Sequence, residues 1–63
     1  MNIGKNVRRI REEKRLSQTE LATAVHVSQT LIARIENETK QPSVAILKSI
    51  ADYLCVTIDE LCT

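Results

Sequence analysis

Sixty-three residues suffice for one small domain and leave little room for a closed catalytic pocket. With 43% hydrophobic residues but a single aromatic ring, Tyr53, and one Gly and one Pro, the composition favours an all-helical chain over a sheet; it also argues against gripping single-stranded nucleic acid by stacked rings. The net charge of +1 conceals a polarity, because residues 1–15 carry six cations against two anions whereas residues 42–63 carry one cation against three anions.

No apolar run approaches the length of a membrane span, and Lys5, Arg8 and Arg9 interrupt the start with no apolar stretch behind them, so a cytoplasmic protein with no membrane partner is expected. Cys55 and Cys62 sit among apolar neighbours and read as reduced, small hydrophobes. Two Cys and a distant His26 are too few for a metal site, and no cofactor is expected.

The first helix is expected over residues 3–15, with Ile3, Val7, Ile10 and the stem of Lys14 on the inner face and Leu16 closing it. Ser17 followed three residues later by Glu20 forms a capping box that opens a second helix at about Gln18 to Val25. Its apolar positions are Leu21, Ala22 and Val25, and Ala22 is small enough for two helices to approach closely.

That stripe does not run on through Ser28 and Gln29, so the chain breaks there and restarts with Ser28 as the next cap. The third helix, about Ser28 to Asn37, turns Ile32 and Ile35 inward, while Leu31 falls outside the core positions. Ser28, Gln29, Thr30 and Arg34 are left on a polar face concentrated at one end. Side chains of these types suit base edges in a DNA major groove, where Gln pairs with adenine, Arg with guanine, and a Thr methyl meets thymine.

Pro42 ends a polar loop, and Ser43 caps a fourth helix with a core face of Val44, Leu47, Ile50, Ala51 and Leu54. A second capping box, Thr57 with Glu60, opens a short fifth helix. Its apolar residues exceed what one turn can bury. Tyr53, Val56, Ile58 and Leu61, joined by Ile46, are therefore the expected dimer surface.

Ser17-Gln18-x-Glu20-Leu21-Ala22, Val27-Ser28-Gln29, Ile32, Ile35-Glu36-Asn37, Pro42-Ser43 and the closing Val56-Thr57-Ile58-Asp59-Glu60-Leu61 together resemble the Cro and phage-repressor family of helix-turn-helix regulators. The resemblance runs from about Arg8 to Leu61. It implies a compact, five-helix, lambda-repressor-like domain filling residues 1–63, with helices 2 and 3 forming the helix-turn-helix. Two positions depart from the family pattern: His26 stands in the turn and Glu38 follows Glu-Asn, both where the family favours Gly.

The resemblance further implies phosphate contacts from Arg8, Arg9 and Arg11 on the first helix, from Gln18 in the first turn of the second, and from Lys40 in the loop after the third. Glu36 and Asn37 would hold the helix end. The implied function is sequence-specific binding of double-stranded DNA by a two-fold homodimer on a palindromic operator, usually as a repressor. The alternative is an antitoxin or protein-interaction module on the same scaffold, with a protein partner. An enzyme is not expected, for want of nucleophile and base candidates.

Overall fold

The structure, a computed structural model, describes residues 2–63. Five helices follow one another: α1 (Ile3–Glu13), α2 (Gln18–Ala24), α3 (Gln29–Glu36), α4 (Val44–Leu54) and α5 (Ile58–Cys62). Among the described residues no strand occurs and no helix is long and apolar enough to cross a membrane.

Four of the five helices begin on a hydroxyl cap. The side chains of Ser17, Ser28, Ser43 and Thr57 accept hydrogen bonds from the amides of Glu20, Leu31, Ile46 and Glu60. Both expected capping boxes form, with Glu20 and Glu60 reaching back to the amides of Ser17 and Thr57. Those bonds, first from the Ser17 backbone and then from its side chain, hold the Glu20 carboxyl below its ordinary pKa.

Helix ends are equally uniform. Arg15, His26, Glu38 and Cys55 each take a left-handed conformation, with φ of 58°, 61°, 61° and 60°. At each, the next amide bonds a carbonyl five residues back: Leu16 to Arg11, Val27 to Ala22, Thr39 to Arg34 and Val56 to Ala51. This is the Schellman closure, and it favours glycine because a Cβ crowds the following carbonyl. Both departures noted in the sequence, His26 and Glu38, lie at such positions.

The core joins all five helices: Ile3, Val7 and Ile10 from α1, Leu21 and Ala22 from α2, Ile32 and Ile35 from α3, Leu47, Ile50, Ala51 and Leu54 from α4, and Leu61 from α5. Leu16, Val27 and Val56, each following a left-handed residue, pack against its rim, as does Leu31. The lone glycine, Gly4, lies where α1 crosses the end of α3. A Cβ there would run into the carbonyl of Ile35 and come within 2.9 Å of the carbonyl of Glu36, so only glycine lets the two backbones meet.

The structure corrects the sequence reading at four places. α1 ends at Glu13, so Lys14 and Arg15 belong to the turn and are exposed; Gly4 and Arg11 complete the inner face that the Lys14 stem was expected to fill. Val44 opens α4 pointing outward and is 78% exposed, not a core residue. Leu61 is wholly buried in its own chain, and its carbonyl accepts a 2.8 Å bond from the Asn6 side chain of α1; it therefore cannot belong to a dimer surface. Arg11 is the fourth correction.

Candidate nucleic-acid interface

Arg11 was expected on phosphate but is 8% exposed and faces inward. Its guanidinium grips the buried Glu36 carboxylate through two parallel bonds, Nε to Oε2 at 2.7 Å and Nη2 to Oε1 at 3.0 Å, and donates a third bond from Nη1 to the Leu16 carbonyl at 2.7 Å. Three donors are thus spent inside the protein. The hydrogen bond to Glu36, outweighing desolvation, raises the Arg11 pKa above its ordinary value, so the guanidinium keeps its charge. The sequence reading gave Glu36 the role of holding the helix end; the structure spends its carboxylate on Arg11 of α1, which in turn bonds the α1–α2 turn at the Leu16 carbonyl.

Glu36 also reaches the helix-turn-helix. Its Oε1 accepts a 3.0 Å bond from Nε2 of Gln18, the first residue of α2, and Oε1 of Gln18 accepts a 2.6 Å bond from Nε2 of Gln29, the first residue of α3. A chain of polar contacts therefore leads from the core to the exposed start of α3. Gln18, expected on phosphate, is half-buried and keeps one N–H beyond these bonds.

Around this point the exposed residues are those that the polar face of α3 predicts. Ser28 caps the helix, and Gln29, Thr30 and Arg34 are exposed, with Ala33 half-buried beside them. The loop beyond α3 is fastened to its last turn by Thr39, whose amide and hydroxyl both donate to the Arg34 carbonyl. Lys40 is exposed in that loop. Among the described residues, neither Arg34 nor Lys40 forms an ion pair.

Arg8 and Arg9 are exposed as well, each 3.4 Å from a carboxylate one turn on, Glu12 and Glu13. Such exposed pairs are weak, worth about 0.3–0.5 kcal/mol, and leave both guanidinium groups available to a stronger anion. Of the residues expected at a dimer surface, Tyr53 is 45% exposed and Val56, Ile58 and Ile46 are half-buried at the rim of the core. No catalytic constellation was expected, and no cluster of potential metal ligands occurs among the described residues.

The role of the Arg11–Glu36 pair escaped the sequence reading, although a signal for it exists. Arg11 stands eight residues after Ile3 and four after Val7, on the apolar stripe of α1, and Glu36 stands four after Ile32 on the stripe of α3. Two opposite charges on two inward stripes ask for each other as partners.

The sequence pattern of the helix-turn-helix family matches residues 7–61. Over 61 residues the chain is 36% identical to the HTH-type transcriptional activator BcrR of Enterococcus faecalis and 30% identical to the immunity repressor protein of Bacillus phage phi105. Both alignments cover 97% of this chain but 30% and 42% of those proteins, so the chain spans less than half the length of either relative. The biofilm master regulator SinR of Bacillus subtilis, whose structure was solved in complex with DNA, is 29% identical and superposes with a TM-score of 0.91 over 97% of this chain and 98% of that one. With the same five-helix architecture and a pattern match over most of its length, the chain belongs to the helix-turn-helix family.

Proposed function

We propose that the chain is a sequence-specific, double-stranded DNA-binding transcription regulator that represses by occupying its operator as a two-fold dimer. The observation that carries this reading is the exposed first turn of α3, where Gln29 and Thr30 stand clear of the surface beside Arg34 while Gln18 braces Gln29 from behind. An eight-residue helix is about 12 Å long, a length that the major groove, about 12 Å wide, accommodates. In this reading Ser28, Gln29, Thr30 and Arg34 face bases. Arg8, Arg9, Gln18 and Lys40 face phosphates and supply the salt-dependent part of the affinity.

The dimer surface comprises Tyr53, Val56 and Ile58, without Leu61. The size of the domain supports such a pairing. Its Cα atoms extend 24 × 23 × 19 Å, and side chains add about 3 Å on each side. Two copies in contact then have centres about 25–30 Å apart, of the same order as the roughly 34 Å that separates successive major-groove faces. The relatives support the regulatory class: one is named a repressor and another an activator, and SinR was solved with DNA.

Selection of bound duplexes from a random DNA pool, with the winners titrated at two salt concentrations, tests the proposal. The expected result is a palindromic consensus bound far more tightly than bulk DNA. A folded protein that enriches no sequence would instead favour a protein partner for α3.

A further inference from the structure

The hydrogen-bond chain behind Gln29 has a fixed polarity. A carboxylate only accepts hydrogen bonds, so Glu36 obliges Gln18 to turn its NH2 group inward, which leaves its carbonyl oxygen facing Gln29. Gln29 must then present NH2 to Gln18. That uses one of its two N–H donors and leaves the outward edge with one acceptor, Oε1, and one donor. Arg11 secures the source of this order by holding both Glu36 oxygens in place.

The outward edge distinguishes the purines. Adenine shows one donor and one acceptor in the major groove, N6–H and N7, and Gln29 as held can match both. Guanine shows two acceptors, O6 and N7, and needs two donors, of which Gln29 has only one to spare. An unrestrained glutamine could turn both N–H groups to guanine.

We propose that Glu36, acting through Gln18, is a positioning residue that sets Gln29 to read adenine and refuse guanine. The inference rests on the base-reading role of Gln29 proposed above. Glu36 itself touches no base. Its effect on DNA is therefore separable from its effect on folding, because it alters the preference at one base pair and not the affinity for all sequences.

The experiment uses the full chain and duplexes carrying the selected consensus. Gln29→Ala first identifies the base pair that Gln29 reads. The ratio of affinities for adenine over guanine at that base pair is then measured for the parent, for Gln18→Met, for Glu36→Gln, and for the double variant Arg11→Met/Glu36→Met, each checked for helix content.

The parent is expected to favour adenine, and each variant to lower the ratio about tenfold, with preferences at other base pairs intact. A uniform loss of affinity in Gln18→Met reports its phosphate contact and cancels from the ratio. A folded Gln18→Met protein that keeps the parent ratio overturns the relay. A ratio lost in Gln18→Met but kept in folded Glu36→Gln or double variants overturns the part assigned to Glu36. If Gln29→Ala relaxes no base pair, the base-reading role itself is overturned, a failure distinct from either of these.

Discussion

His26 holds a φ of 61° at the corner between α2 and α3, where a residue bearing a Cβ is strained by about 1 kcal/mol relative to glycine. His26→Gly should relieve that strain and raise the thermal midpoint by about 4–8 °C, since a domain of this size gains roughly that much per kcal/mol; thermal denaturation followed by circular dichroism measures it. Glu20 gives a second residue-level expectation. Its carboxyl titrates lower in the folded chain than in the unfolded one, so its charge adds stability above the unfolded pKa, and that stability disappears as pH falls through the folded pKa. The parent should accordingly melt above Glu20→Gln at neutral pH, and the gap should close in acid as the carboxylate protonates.

At the scale of elements, the helices and their starts were legible in the sequence and the tie between them was not. Ser17, Ser28, Ser43 and Thr57 announce the starts because a hydroxyl one residue before an apolar-periodic run has few better uses than capping it. The ends were harder to see, because Arg15, Glu38 and Cys55 carry no chemical mark of a left-handed backbone. Arg11 was misassigned because an arginine among other basic residues reads as surface charge, although its spacing put it inside. The packing of α1 on α3 depends on that side chain and on Gly4. Arg11→Met should cost about 3–5 kcal/mol by leaving the Glu36 carboxylate buried without a partner, whereas adding Glu36→Met should recover most of the loss by making the contact apolar. Urea denaturation of parent, single and double variants decides this, with an equally unstable double variant as the contrary result.

Across the whole molecule, two surfaces are assigned distinct tasks, and each can be probed alone. Tyr53 is 45% exposed, so Tyr53→Asp should leave the fold in place while shifting sedimentation from dimer to monomer. Leu61 was expected at the same surface, because an apolar residue in a short terminal helix looks in excess until α1 is seen packing over it. Lys40→Ala should weaken binding to all duplexes alike and lower the slope of log affinity against log salt by about 1, the loss expected for one phosphate contact. A slope unchanged within error would remove Lys40 from the phosphate-facing set. The exposed polar face of α3 was readable from Ser28, Gln29, Thr30 and Arg34, because polar residues off the apolar stripe of an amphipathic helix stay at the surface. The support beneath that face was not readable, because it runs through Gln18 to a buried charge on the far end of the same helix.

The convergence of Arg11, Gln18 and the Leu16 carbonyl around Glu36 also constrains how such a sequence can drift. Single steps away from either member of the buried pair pass through an intermediate with a stranded charge, and in a 63-residue domain with modest reserves that intermediate is purged before a compensating change arrives. Positions 11 and 36 should therefore be exchanged together among descendants or remain locked, while Gln29, at the solvent end of the chain, remains free to vary. Lineages of this fold could then acquire new operators by changing the reader and inheriting its support.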